Sequence, residues 1–394
     1  MNNIWRPQLY ISEARSQGIP TDIINNAVAI GDRITNKGLN IPIIFNLEHL
    51  AKLSGVDYDQ VYKLTKRAGE NSSGKDYYRI FAIRKKDTKS KRYICVPSKN
   101  LLRVQKYINQ FILHNLKSHP SSMAYNKGCK IVDVANVHRQ AKWLLKIDIE
   151  DFFENISEVD IYKIFFSSGY SKLLSFQLAR LCTRIVPYQK EHAEKYSHSR
   201  WRAHKNYNNK NYNFHVIGSL PQGAPTSPLL ANLVLRDLDE NITKIALSYG
   251  VRYTRYSDDL TFSSCDIKFG RKNCYRLIRE IYDSLYSNGF SPKKNKTKII
   301  SPGSRKVVLG LIVDGNKPKL TKEFKANILR HLHFCNLESV GPVQHAKHQK
   351  FDSVIGFNNH LKGLVSYSLS IDPKFGSKVK SLYESINWPS LPFN

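Results

Sequence analysis

Apolar residues recur at helical spacing along much of the chain, interrupted by a few β-like runs. Over residues 45–69, FNLEHLAKLSGVDYDQVYKLTKRAG, the pattern predicts two short helices joined by Ser54-Gly55-Val56-Asp57. The spacing is that of a helix-turn-helix. The motif is degenerate, however, and a helical pair packed on a larger core is the preferred reading. Residues 77–97 (YYRIFAIRKKDTKSKRYICVP) place two β-rich runs around the polar stretch KKDTKSK, which predicts a hairpin with a basic tip. Leu101, Val104, Ile108, Phe111, Ile112 and Leu116 recur at helical spacing, so one helix is expected over 100–118, stopped by Pro120. The run Lys142–Phe153 predicts a strand leading into Asp148 and then a turn toward a helix. Val251–Ser263 predicts a hairpin with Ser257-Asp258-Asp259 at its tip. Between these runs, the Pro/Gly-rich loop Leu220–Pro228 opens a helix at Leu229–Leu238. Glu323–His333 and Phe357–Ser368 read as helices near the end.

No stretch approaches the ~18 consecutive apolar residues of a membrane-spanning helix. The first twenty residues, MNNIWRPQLYISEARSQGIP, contain no apolar core of a secretory signal. No internal repeat or long low-complexity tract is present.

Length and charge sharpen the picture. A chain of 394 residues is expected to form two or three domains. Hydrophobic residues make up 41%, enough for a packed core and too many for a disordered chain. Lys and Arg number 61 against 32 Asp and Glu, a net charge of +29. Such a surface repels itself unless it meets a polyanion, which points to nucleic acid or an anionic membrane surface. The six cysteines (Cys95, Cys129, Cys182, Cys265, Cys274 and Cys335) form no CxxC pair. A zinc ribbon, iron–sulfur site or disulfide scaffold is therefore not expected, and a reducing, cytoplasmic setting fits. His331, His333, Cys335, His345 and His348 lie close in sequence, but in a helical pattern they read as ordinary core or surface residues.

Residues Tyr188–His215 carry six Lys/Arg against two Asp/Glu, interleaved with Tyr188, Tyr196, Trp201, Tyr207 and Tyr212. The segment reads as a long insertion. It is either a solvated loop or a nucleic-acid contact in which rings stack on bases and cations pair phosphates.

The carboxylates carry the chemistry. Adjacent Asp258 and Asp259 at a tight turn are costly unless a cation neutralises them. Oxygen donors with no His or Cys nearby suit magnesium. A third carboxylate from another strand would complete a two-metal site, which clamps the attacking and leaving oxygens of a phosphoryl displacement. Taken alone, a DD pair carries little, because such pairs are common on surfaces.

The ordered set LKIDIEDFF, LPQGAPTSP and YTRYSDDLTFS, followed by NKTK, resembles the palm motifs of reverse transcriptases. The resemblance is closest to bacterial retron reverse transcriptases and covers about residues 45–385. Two retron signatures are present with one departure each. The stretch written NAxxH in that group is Val134-Ala135-Asn136-Val137-His138 here, and VTG is Val308-Leu309-Gly310.

The resemblance implies an α+β right-hand polymerase fold of fingers, palm and thumb, with a helical N-terminal extension and a small helical thumb. It implies that Asp148, Asp258 and Asp259, with the carbonyl of Ile149, hold two Mg2+ ions. Phe153, five residues after Asp148, is placed under the sugar, where its ring would exclude a 2′-hydroxyl; alone it would read as a core aromatic. Asp151 joins the substrate-binding set, and Gln222 and Gly223 match the loop against nucleotide and template. Lys296 matches the lysine that protonates pyrophosphate, and it equally reads as one solvated lysine of SPKKNKTK. Arg79 and Arg92 resemble the triphosphate-binding positions of the fingers.

The expected organisation is a helical region over 1–75, fingers over 76–145, and palm over 146–303 with an insertion at 187–215. The palm end and thumb follow over 304–394. That last part carries 13 Lys/Arg against 6 Asp/Glu, a net of +7, suited to tracking a duplex backbone. No nuclease, RNase H or integrase module is expected after residue 385. The implied activity is RNA-directed DNA synthesis on a cognate structured non-coding RNA, giving a branched RNA–DNA (msDNA). The implied partners are that RNA, its DNA product and a separately encoded effector in anti-phage defence, with no membrane. A group II intron-type reverse transcriptase and a non-catalytic RNA-binding scaffold derived from a polymerase are the alternatives. The chain's early end and short thumb disfavour the first, and the intact aspartates the second.

Overall fold

The computed structural model describes residues 5–66, 77–84, 91–185 and 217–389. The chain opens with α1 (Pro7–Ser16) and α2 (Thr21–Thr35). α2 buries Ile24, Ala27, Ile30, Gly31 and Ile34, a one-sided stripe at helical spacing. α3 (Leu47–Ser54) and α4 (Tyr58–Thr65) form the expected helical pair. The Asn46 side chain accepts a hydrogen bond from His49 N at 2.8 Å and starts α3. Gly55, at φ +65°, ends α3 in the left-handed region. Asp57 then caps α4 through the N–H groups of Asp59 and Gln60.

β1 (Tyr78–Arg84) and β2 (Lys91–Pro97) form an antiparallel hairpin with Arg79 opposite Val96 and Ile83 opposite Arg92. Residues 85–90 of the expected tip lie outside the described residues. Beyond it, the single helix expected over 100–118 is regular only in α5 (Lys99–Tyr107). The chain then widens into a π turn at Ile108–Ile112 and tightens into a 3₁₀ turn at Leu113–Asn115. Leaving the α period rotates Phe111 off the buried stripe, and it is 44% exposed.

α6 (Ile131–Val137), β3 (Trp143–Asp148), α7 (Glu158–Ser167) and α8 (Lys172–Cys182) follow. The helix expected at Leu229–Leu238 is two helices, α9 (Ser227–Val234) and α10 (Arg236–Ser248), broken at Leu235. Next come β4 (Arg252–Tyr256), β5 (Asp259–Ser264), α11 (Gly270–Ser287) and β6 (Lys298–Ile300). Their strands build a four-stranded antiparallel sheet in the order β4-β5-β3-β6. Strand alternation sends Leu145, Ile147, Leu260 and Phe262 to the face covered by helices, all fully buried. One hydrophobic cluster runs from Ile30 through Val104, Ile147 and Leu260 to Phe290, joining N-terminal helices, hairpin and sheet.

A small sheet, β7 (Val307–Val308), β8 (Leu311–Ile312) and β9 (Lys319–Leu320), leads into four helices. These are α12 (Lys322–Asn336), α13 (Gly341–His348), α14 (Val354–Ile371) and α15 (Pro373–Glu384). They form their own cluster around Ile328, Leu332, Phe357, Leu361 and Val379, and constitute a helical thumb. Within it His331 Nδ1 and His345 Nε2 lie 2.9 Å apart beside Phe357. Burial is the main cause that pushes His331 down to about 4, so the pair is neutral core packing. No helix among the described residues is long and apolar enough to cross a membrane.

Candidate active site

Sheet register brings the carboxylates together. Asp148 ends β3 directly opposite Asp259, which begins β5. Asp259 also pairs with Tyr256, so Ser257 and Asp258 are the two loop residues of the β4–β5 hairpin. The main chain at Asp148 is fixed on both sides. Ile149 N donates to Asp258 O at 2.9 Å, Lys293 N donates to Asp148 O at 2.7 Å, and Glu150 N donates to Ser291 O at 2.8 Å. The Ile149 side chain is buried in the core. The segment before β6 carries Lys296, whose Nζ lies 3.0 Å from Asp148 Oδ2.

Electrostatics mark the same spot. Burial, the largest cause, pushes Asp259 up to about 6, and the charges of Asp258 and Asp148 add to it. Lys146 and Lys296 oppose the rise. Among the described residues no three His, Cys, Asp or Glu side chains already close around one point. Asp148 is turned to Lys296, whose ammonium supplies the positive charge there. The donor set itself is hard oxygen throughout, on facing main-chain positions, and suits magnesium without histidine or thiol.

Downstream of Asp148 the chain turns tightly. Asp151 takes φ +43°, its carbonyl accepts from Asn155 N at 2.9 Å, and Asn155 Nδ2 donates to Glu150 O at 2.8 Å. Phe153 emerges half-buried, edge-on to the buried Phe152 with ring centroids 5.2 Å apart.

The Gln222 carbonyl accepts from Cys95 N at 2.7 Å, which docks the Leu220–Pro228 loop on β2. Gly223 sits at φ +112°, and a Cβ there would meet Cys95 O at 2.9 Å. Only glycine allows both the conformation and the approach. The hairpin register, which sequence left open, puts positions 79 and 92 on one face, opposite to buried Tyr78 and Cys95. They are separated by four rungs, or about 13 Å along the strands. The exposed Arg79 guanidinium lies 4.5 Å from the Phe81 ring centroid.

Tyr188–His215 lies outside the described residues. Its described flanks are tied together: Arg184 and Ser219 exchange both backbone hydrogen bonds at 2.9 Å. The buried Glu158 accepts from Gly218 N at 3.1 Å.

Sequence reasoning missed several residues beneath the site. Arg255, one position before Tyr256, is completely buried and paired with Asp239 of α10. Arg255 shares one face of β4 with Tyr253, but Thr254 on the other face is buried as well, so alternation along the strand does not single it out. The two retron-type signatures also acquire places. Nδ1 of His138 hydrogen-bonds with Ser263 Oγ at 2.8 Å and Nε2 with Thr254 Oγ1 at 2.7 Å, bridging β5 and β4. Burial chiefly, then Arg252 and Lys146, pushes this imidazole down to about 3, so it is neutral. Leu309 and Gly310, at φ +47° and +84°, form the turn between β7 and β8. Val134, Ala135, Val308 and Leu311 share one hydrophobic cluster, so both signatures meet under the sheet.

A helical N-terminal region, an antiparallel palm sheet carrying Asp148 and Asp259 on adjacent strands with Asp258 in the hairpin turn between β4 and β5, and a helical thumb define a right-hand nucleotide polymerase. Residues 83–330 match the family model described as reverse transcriptase (RNA-dependent DNA polymerase), and the chain belongs to that family. It is an RNA-directed DNA polymerase. Among bacterial retron enzymes, it is 29% identical to the retron Ec86 reverse transcriptase of Escherichia coli over 341 residues, 86% of this chain and 88% of that one. It is 27% identical to the retron Mx162 reverse transcriptase of Myxococcus xanthus over 244 residues, and the match spans about half of that relative (47%). A solved foamy viral protease-reverse transcriptase in complex with double-stranded DNA is similar with a TM-score of 0.41 at 15% identity. That likeness covers 79% of this chain and 41% of that one.

Proposed function

We propose that the chain copies a structured non-coding RNA encoded beside it into DNA, priming from a 2′-hydroxyl within that RNA and leaving a branched RNA–DNA. The similarity to retron enzymes supports this reading, as does the net charge of +29. The proposal extends to action in the cytoplasm, with a separately encoded effector, in defence against phage.

The observation that carries the catalytic assignment is the pairing of Asp148 with Asp259 across β3 and β5, beside Asp258 and Lys296. Asp148, Asp258, Asp259 and the Ile149 carbonyl would hold magnesium. When bound, magnesium would activate the attacking hydroxyl and offset charge on the leaving pyrophosphate. Phe153 would sit under the deoxyribose and exclude a 2′-hydroxyl. Asp151, Gln222 and Gly223 would bound the nucleotide and template, and Arg79 and Arg92 would meet the triphosphate from the hairpin. Lys296, released from Asp148, would hold the proton for the departing pyrophosphate.

The test is replacement of Asp258 and Asp259 together by Ala. DNA synthesis is expected to vanish while RNA binding stays near normal, because affinity is spread over many Lys and Arg. Synthesis by the double variant would remove the site assignment. Nucleic acid copurifying with wild type is expected to contain a 2′–5′ branch, and a linear product only would remove the retron reading.

A further inference from the structure

The carboxylate-bearing turn is held in a conformation its residues do not favour. Ser257 takes φ +60° at the first loop position of the β4–β5 hairpin, where glycine is usual. Such a conformation persists in a non-glycine residue only where the surroundings over-determine it. Hydrogen bonds from three separate segments reach the turn. Arg255 Nη1 donates to Ser257 O at 3.1 Å, Tyr125 Oη donates to Ser257 Oγ at 3.1 Å, and Ile149 N donates to Asp258 O at 2.9 Å.

Arg255 has 0% exposure, and its five N–H donors are all engaged. Nη2 donates to Asp239 Oδ2 at 2.6 Å and Nε to Asp239 Oδ1 at 2.8 Å. Nη2 also donates to Ser122 Oγ at 2.9 Å, and Nη1 to Asn232 Oδ1 at 3.2 Å. Four bonds thus lock the plane of the guanidinium, and the fifth is the one to Ser257 O. The anchors are themselves held. Tyr253 Oη donates to Asp239 Oδ1 at 2.8 Å, and Asn232 Nδ2 to Ala124 O at 2.7 Å. The Arg255 main chain is stitched to 121–123 through Ser121 O at 2.7 Å and Met123 N at 2.9 Å. That segment leads directly to Tyr125, the other side chain on the turn.

A buried ion pair is poor evidence for stability, since apolar residues of similar volume often do as well or better. What an apolar residue cannot do is direct a fixed N–H at the Ser257 carbonyl. Lysine cannot do it either, having three donors on one atom instead of a planar fork. We infer that Arg255, oriented by Asp239 and Asn232, is a positioning residue that holds the Ser257–Asp258 turn and so sets Asp258 and Asp259 against Asp148. This inference rests on the site assignment made under Proposed function.

The experiment compares wild type with Arg255→Lys and with the neutral double variant Arg255→Gln/Asp239→Asn. Each is measured at a temperature where circular dichroism shows it folded. The readouts are kcat and KM for nucleotide on a generic primer–template, the primer–template Kd, and Mn2+ binding by electron paramagnetic resonance on a dideoxy-terminated complex. The expected result is a kcat lower by about tenfold or more and Mn2+ binding weakened by about tenfold, at unchanged primer–template Kd. A folded variant with wild-type kcat and Mn2+ affinity overturns the inference. So does failure of both variants to fold at any temperature, which would make Arg255 a folding residue. Asp258→Ala/Asp259→Ala runs in parallel. If it still makes DNA, the site assignment fails. If it is inactive while the Arg255 variants match wild type, only the positioning inference fails.

Discussion

Lys296 Nζ lies 3.0 Å from Asp148 Oδ2, joining residues 148 positions apart in the chain. Lys296 is half exposed, so the pair contributes little to stability, about 1 kcal/mol or less. Its consequence is chemical. It sets the Lys296 side chain beside the carboxylate ends of β3 and β5, where the proposed pyrophosphate-protonating role would need it.

Lys296→Gln is therefore expected to leave chemical denaturation nearly unchanged. Single-turnover nucleotide addition should slow by about 10²-fold or more, the scale of general-acid catalysis. Rapid-quench kinetics would show it. A rate within about threefold of wild type would return Lys296 to the solvated-lysine reading.

Asp259 gives a pH prediction. Its carboxyl is pushed up to about 6, foremost by burial, so the folded chain disfavours the ionised form. Stability from this site is full below the ordinary carboxylate value of about 4 and is lost as pH rises through about 6. Asp259→Asn stays neutral throughout. In EDTA it should exceed wild type by about 1–3 kcal/mol near pH 7, with the difference fading toward pH 4. The same variant should make no DNA. Denaturant melts at several pH values check this, and parallel curves for the two proteins would contradict it.

Phe153→Ala should admit ribonucleotides by removing the ring that would meet a 2′-hydroxyl. Discrimination against them should fall by about tenfold or more. Losing the contact with Phe152 should cost about 2 kcal/mol, below the figure for a fully buried phenylalanine. If the folded variant excludes ribonucleotides as well as wild type does, another residue is the gate.

Replacing Tyr188–His215 with a short Gly/Ser linker should leave extension of a generic primer–template near normal, since Arg184 and Ser219 already pair at its base. Assembly with the cognate RNA–DNA or a partner should weaken. Stacking contributes about 1–3 kcal/mol per base, so two engaged rings suffice for a tenfold change in Kd. Gel-shift and primer-extension assays separate the outcomes: equal loss in both marks a structural segment, and no loss in either a solvated loop.

Much of the candidate site was legible in the chain because its elements are local. The strand run into Asp148, the Pro/Gly loop at Gln222 and the turn at Ser257-Asp258 are each set by short-range pattern and turn residues, and their order identifies the polymerase class. The helical pair at 47–65 was legible for the same reason, through Asn46, Gly55 and Asp57.

Tertiary structure decided what depends on register and burial. The Arg79–Arg92 face follows from how β1 pairs with β2, which no local pattern specifies. The break at Tyr107 and the split at Leu235 are packing outcomes that override a continuous apolar period. Gly223 needs to be glycine because Cys95, 128 positions earlier, passes 2.9 Å from where a Cβ would stand. Arg255 reads in the sequence as one more cation among 61. Only when β4 is laid on α10 does it become a buried guanidinium aimed at the Ser257–Asp258 turn, because desolvation and a fixed partner arise from packing, not from sequence neighbours.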